Sequence, residues 1–245
     1  MIPILVINIE SATDRWSNVS RQLLPYWQDV ERFDAVNGKV QDHPLFENYD
    51  PVLRRKRKGE GLSRGQLGCF ASHYLAWKRC IQMDRPVIIL EDDVTLIEPE
   101  FSVFYRNLDR IDSRFECLRL FENSSKNHKE TEVCKIGEVG VVKYSKGPMS
   151  TMGYYLTPSG AAKFAKNSSP WFLPVDIYMD RFWQNGVECY GLAKPVVKHE
   201  HLFESMIGYE QRRRRPLQQT LRREWFALFE GARRFLHNLR FRLGG

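Results

Sequence analysis

Short, continuous apolar runs alternate with longer stretches in which apolar residues recur every three or four positions. "IPILVINI" at the start is such a run, rich in β-branched residues, and predicts a buried first strand. Trp16, Val19 and Leu23 share one face of a following helix, for which Ser11 and Thr13 are possible caps. "VERFDAV" predicts a second strand that ends at the turn signal Asn37-Gly38. Residues 39–62 show little periodicity and predict a long loop. Ser63 and Gln66 form a capping box for a helix through "GQLGCFASHYLAWKRCIQM", whose apolar residues surround much of its circumference and predict deep burial. Val87–Leu90 predicts a strand, and Pro99 the first turn of a helix carrying Phe101, Phe104, Tyr105 and Leu108. "FECLRLF", "VGVVKY" and "MGYYLT" predict strands, and Pro158 begins a helix. "VDIYMDRFWQNG" predicts one short helix stopped at Gly186, and "VECYGL" and "PVVKH" predict closing strands. The alternation implies an α/β layered fold with a mostly parallel central sheet, whose ligands collect at the carboxyl ends of its strands.

The 245 residues suit one large domain or one domain with an appendage. Residues 209–245 hold ten arginines and three glutamates, which accounts for the whole net charge of +7 and leaves 1–208 neutral. The five cysteines have no C-x-x-C pair, so neither a disulfide framework nor a zinc site is indicated. No uncharged apolar run approaches membrane-span length, and the N-terminus lacks the features of a signal peptide, so the chain is expected in the cytoplasm.

"PVIILEDDVTL" carries the sharpest chemistry. Four apolar residues run into Glu91, Asp92 and Asp93. On extended backbone Glu91 and Asp93 face one way and Asp92 the other. Two carboxylates at a strand end can hold a hard cation such as Mg²⁺ or Mn²⁺, and a solvated acidic turn is the alternative.

Six segments resemble glycosyltransferase family 25, which includes bacterial lipooligosaccharide galactosyltransferases. They are "INIESATDR", "FDAVNG", "LSRGQLGCFASHYLAWK", "IILEDDV", "MGYYLTPSGAAKF" and "PVD" at 174–176, in family order. The resemblance implies a nucleotide-sugar-binding domain of GT-A type over 1–208 that transfers a hexose, most plausibly galactose, from a UDP-sugar with inversion. It implies donor-binding roles for Asn8, Arg15, Asp34 and Ala35 around the uridine. It assigns Ser72, His73 and Lys78 to the donor pocket, and Glu91, Asp92 and Asp93 to the segment where related enzymes carry D-x-D. Asp93 is then expected on the divalent cation (Mn²⁺ or Mg²⁺), and Glu91 on ribose, metal-bound water or the metal itself. Gln66 departs from the family's usual Glu. Each residue has a plainer reading: Arg15 in a surface pair, His73 as a core histidine, Lys78 snorkelling from the helix end.

An inverting transfer needs a general base at the acceptor hydroxyl. Asp176 is the candidate, ahead of Asp180 and Glu122; a helix N-cap is its plainer reading. A further metal ligand is expected in "VVKHEH", with His201 preferred over His199.

Leu217, Leu221, Trp225, Leu228, Ala232, Phe235 and Leu239 fall within an arc of about 80° at 100° per residue. Arginines lie off that arc, so 209–245 is read as a basic amphipathic helix for an anionic membrane surface, or as a helix packing that face on the domain. "RRKRK" at 54–58 contacts phosphates of an acidic glycolipid acceptor or is only solvated. The expected partners are a UDP-sugar, a glycolipid or oligosaccharide acceptor and the inner face of a membrane, with no nucleic acid. A metal-dependent nuclease or nucleotidyltransferase, and a non-enzymatic membrane- or RNA-binding module, are the competing readings.

Overall fold

The computed structural model describes residues 2–200 and 217–244. The first strand, β1 (Ile4–Asn8), is buried along its whole length. It leads through α1 (Thr13–Gln22) to β2 (Val30–Asp34). The cap of α1 is Ala12 without a side-chain hydrogen bond, so neither Ser11 nor Thr13 caps it. The segment expected to be a loop contains a short 3-10 turn at Pro44–Asn48 and a helix, α2 (Pro51–Lys58). Asp50 caps α2 through Leu53 N and Gly59 closes it at φ 81°. Its run of basic residues hides any apolar period, which is why periodicity missed it.

The long helix α3 (Arg64–Met83) carries the predicted Ser63/Gln66 capping box. After it come β3 (Val87–Glu91), β4 (Val94–Leu96), α4 (Glu100–Arg106), β5 (Cys117–Arg119), β6 (Glu130–Ile136) and β7 (Val139–Tyr144). Sequence periodicity gave no sign of β6, an edge strand whose residues are mostly exposed. Then follow β8 (Gly153–Leu156) and α5 (Pro158–Asn167). The single helix expected over 175–186 is two, α6 (Val175–Met179) and α7 (Phe182–Asn185), closed by Gly186 at φ 78°. The chain then forms β9 (Tyr190–Leu192) and β10 (Val197–His199), and α8 (Leu217–Arg242) is the C-terminal helix.

Eight strands form one mixed sheet in the order β2-β1-β3-β8-β5-β9-β7-β6, and β4 pairs with β10 apart from it. The expectation of a mostly parallel sheet is corrected. Only β1–β2, β1–β3 and β5–β9 are parallel, against four antiparallel pairs. Strand–helix alternation holds only for the first half, where helices carry the crossovers; the tight β6–β7 hairpin turns at Gly137.

Both faces of the sheet are covered. Ile4, Val6, Ile88 and Leu90 pack with Val19, Phe101 and Phe104, whereas Leu5, Ile7, Val87 and Ile89 pack with Phe70, Trp77 and Phe164. That is why the β1 and β3 sequences are unbroken apolar runs rather than alternating ones. The parallel triplet β2-β1-β3 places Asp34, Asn8 and Glu91 at neighbouring carboxyl ends.

Candidate functional site

Two cavities open at these strand ends and share Cys69, Glu91 and Asp93. The smaller, about 190 Å³, lies between the 35–40 segment and α3, with Ile7, Ala35 and Val36 in its wall. Its walls approach closely because two glycines face each other. A Cβ on Gly68 would come within 2.5 Å of Val36 O and 2.6 Å of Gly38 N. The larger, about 610 Å³, holds Glu91, Asp93, Thr151, Asp176 and His199, and also Arg54 and Lys58.

The three carboxylates divide as strand alternation predicts. Asp92 is buried and belongs to the protein's own scaffold: it accepts from Asn8 Nδ2 at 2.6 Å and from Arg15 Nη1 at 2.9 Å. Glu91 accepts from Thr151 Oγ1 at 2.5 Å, and His73 Nε2 lies 3.3 Å from its Oε1. Burial raises the Glu91 proton affinity, but the His73 and Thr151 contacts outweigh it and hold this carboxyl below its ordinary range. Asp93 is the opposite case. Burial first, then the neighbouring Glu91, pushes its pKa up to about 7 against the pull of Arg15. Its Oδ2 has Arg15 Nη1 at 3.5 Å and His199 Nε2 at 3.6 Å, and its Oδ1 is buried with no hydrogen-bond partner among the described residues.

A buried carboxylate oxygen with no donor is a place for a cation. The residues present fit a hard divalent ion, with Asp93 and Glu91 as oxygen donors and His199 beside them. Cys69, His73 and Glu91 also lie close enough together to hold a metal. Burial and the nearby Glu91 raise the Cys69 thiol well above its usual range, so without a metal it stays protonated. His201, preferred from the sequence as a ligand, lies outside the described residues, as do the 208/209 boundary and Arg212–Arg215.

The other expected site residues separate clearly. Arg15, Ala35, Ser72 and His73 line the smaller cavity. Asn8 lines neither: its amide donates to Ala12 O and Asp92, and its oxygen accepts twice from Arg32. Asn8 therefore positions Asp92 rather than facing a ligand. Asp34 and Lys78 are exposed and line neither cavity. Lys78 is five residues beyond His73, about 140° around the helix, and so faces away. Ser72 Oγ accepts from Val36 N and donates to Gly68 O, pinning the cavity wall to α3. His73 is both a core histidine and a site residue, since its Nδ1 bonds Tyr154 Oη while Nε2 faces Glu91.

Asp176 is in the first turn of α6, but Pro174 is the cap, and the carboxylate accepts only locally from Ile177 N at 2.7 Å. Burial first, and Glu91 next among the raising influences, lift its proton affinity. Asp180 is committed elsewhere: it accepts from Arg119 and from Met149 N and fixes the 147–150 segment of the cleft wall. Glu122 is exposed and lines neither cavity. Thr151 was not anticipated, because nothing in its local sequence marks it; the antiparallel β3–β8 pairing brings it beside Glu91.

Trp77 Nε1 and His73 Nδ1 both meet Tyr154 Oη at 2.9 Å in the core beneath Glu91. Tyr154→Phe strands two buried ring nitrogens. It should cost about 2 kcal/mol of unfolding free energy, read as a shift in urea midpoint at constant slope.

The family described as "Glycosyltransferase family 25 (LPS biosynthesis protein)" matches residues 1–179. The chain is 24% identical over 213 residues to procollagen galactosyltransferase 2 of Homo sapiens, covering 82% of this chain and 32% of that protein. It is 28% identical over 200 residues to a glycosyltransferase 25 family member of Anopheles gambiae, covering 74% and 32%. It is 34% identical over 94 residues to a lipooligosaccharide biosynthesis protein of Haemophilus influenzae, covering 38% and 34%. The chain thus spans about a third of the length of the curated relatives it matches.

Proposed function

The chain belongs to glycosyltransferase family 25, and on that premise we propose that it is a glycosyltransferase that moves a hexose, galactose by preference, from a UDP-sugar to a glycan acceptor with inversion. The observation that carries this reading is the meeting of two cavities at Glu91 and Asp93. The smaller, with mostly apolar walls, suits a nucleoside; the larger, whose lining is more polar and includes Glu91, Asp93, Thr151 and Asp176, suits the sugar and the incoming hydroxyl. Residues 1–208 form the catalytic unit, of GT-A type.

Asp93 and Glu91, with His199, would hold a divalent ion between the cavities. When bound, that ion neutralises the diphosphate leaving group. Arg15 and Asn8 keep Asp92 fixed, and through it the turn that presents Asp93. Asp176 takes the proton of the acceptor hydroxyl as its oxygen bonds to the anomeric carbon and the bond to the UDP oxygen breaks. A raised proton affinity suits that task. The test is a thermal-shift panel of UDP-sugars with Mn²⁺ and with chelator. One donor should raise Tm by several degrees with Mn²⁺ only, and no response to any nucleotide sugar would refute the reading.

The acceptor class favoured is a lipooligosaccharide, reached from a membrane surface. Support comes from α8, which docks through Phe226, Glu230, His237, Asn238 and Phe241. The predicted apolar arc is centred about 190° away from that docking face. Its Leu221, Trp225, Leu228 and Phe235 are 60%, 72%, 67% and 65% exposed. The arc therefore does not pack on the domain. Six arginines on α8 and this apolar stripe fit the interface of an anionic bilayer. No described helix is long and apolar enough to cross a membrane. Trp225→Ser with Leu228→Ser should reduce binding to phosphatidylglycerol vesicles at least tenfold in co-sedimentation, with Tm unchanged; undiminished binding would remove α8 as the anchor.

A further inference from the structure

We propose that Arg54 and Lys58 form a subsite for an anionic group, a phosphate or carboxylate, carried by the acceptor. The subsite rests on the transferase reading and adds to it the class of molecule that receives the sugar.

Five consecutive basic residues span 54–58, and the helix sorts them. Four-residue spacing puts Arg54 and Lys58 on one face of α2, and both line the larger cavity. Arg55 and Lys56 are exposed, and Arg57 stacks on Phe226 of α8 at 4.8 Å. The run is thus one solvated side and one cleft-facing side.

The cleft-facing side has an excess of cation. Arg54 is 5% exposed and reaches Phe172 O and Glu60 Oε1 at 3.5 Å. Lys58 has its ammonium 5.1 Å from the Phe226 ring, and no carboxylate of the described residues lies within ion-pair distance of it. Around it among the described residues stand Arg54, Arg181 and Arg223; of the nearby acids, Glu230 is bonded to Arg181 and Glu60 to Arg54. Burial, then Arg181 and Arg54, bring Lys58 down to about 8. A half-buried ammonium among guanidiniums is unfavourable by itself, and an arriving anion relieves it.

The donor does not supply that anion. Neither cation lines the smaller, nucleoside-sized cavity, whereas both line the cleft that holds Asp176. The acceptor hydroxyl must come to Asp176, so the anion belongs to the molecule that carries this hydroxyl. Lys58 presents a point charge with donors to spare, and Arg54, held by Phe172 O and Glu60, adds a second cation beside it; the pair suits either oxyanion.

The test uses the full chain saturated with UDP and Mg²⁺, titrated with glucose 6-phosphate, glucuronate or glucose and read by calorimetry. The two anionic sugars should bind and glucose should not. Lys58→Gln should weaken the anionic sugars about 10–100-fold, as expected for a lost charge-assisted hydrogen bond, and Lys58→Arg should restore them. Lys58→Gln removes a like-charge conflict, so its Tm should equal or exceed the parent's. The sugar that binds more tightly identifies phosphate or carboxylate as the preferred group. If UDP binds but the anionic sugars do no better than glucose, the subsite is wrong while the donor site stands. Loss of UDP affinity in Lys58→Gln would assign the cation to the donor diphosphate and overturn the proposal. Failure of UDP to bind the parent protein would remove the transferase geometry and the subsite with it.

Discussion

Asp93→Asn should abolish any stabilisation of the protein by Mn²⁺ and lower sugar transfer on the order of 10³-fold, the rate loss expected when several kcal/mol of charge stabilisation are removed. The expectation follows from an imbalance around this one side chain. Asp93 Oδ1 is buried without a donor among the described residues, and Arg15 and His199 stand 3.5 and 3.6 Å from Oδ2. Burial and Glu91 raise its pKa to about 7, so the metal-free fold favours the protonated acid. The sign of the pH dependence follows. The unfolded carboxyl titrates near 4, so between there and 7 the folded state binds more protons. The stabilising contribution of the protonated Asp93 is complete below about pH 4 and is lost as pH rises through 7. Added Mn²⁺ competes with that proton, so the Mn²⁺-induced rise in Tm should grow from pH 5.5 to pH 8. In chelator at pH 8, Asp93→Asn should melt at the same temperature as the parent or higher, because it removes a desolvated charge. A variant that keeps its Mn²⁺ response would exclude Asp93 as a ligand.

Asp176→Asn should lower kcat by about 10²–10⁴ while leaving UDP and UDP-sugar affinity within a factor of two. The substitution is structurally conservative. Among the described residues the Asp176 carboxylate accepts from nearby backbone, chiefly Ile177 N, and an Asn oxygen can accept the same bond. Pro174, not Asp176, caps α6, so a cap loss cannot explain a fall in rate. Single-turnover rates measured beside donor titrations separate the two effects. Retention of more than a tenth of the rate would show that another group, or water, takes the acceptor proton.

Much of the smaller cavity's frame was legible in the sequence, for a physical reason. β1 and β3 are buried on both faces, so they read as unbroken apolar runs, and the two cavities open at their carboxyl ends, as expected for such sheets. Period-two alternation on extended chain by itself separates Asp92 from Glu91 and Asp93. The Ser63/Gln66 capping box located the start of α3 to the residue. Roles inferred position by position fared less evenly. Ser72, His73, Arg15 and Ala35 line the smaller cavity, whereas Asn8 is consumed by Arg32 and Asp92, and Lys78 faces away.

The amphipathic pattern of α8 shows the boundary between the two kinds of information. Sequence alone determined that Leu221, Trp225, Leu228 and Phe235 share a stripe, because helical geometry fixes angular spacing. Whether that stripe meets the domain or solvent depends on partners distant in sequence. Phe172, Arg57, Arg181 and Glu188 take the opposite face through Phe226, Glu230 and His237. In the same way the sequence determined a basic run at 54–58 and three carboxylates at 91–93. Only the tertiary structure turned Arg54 and Lys58 into the cleft that holds Asp176, brought Thr151 to Glu91, and left Asp93 Oδ1 without a donor among the described residues. Local spacing decides which residues share a face, whereas long-range pairing decides what that face meets and which charges it leaves uncompensated.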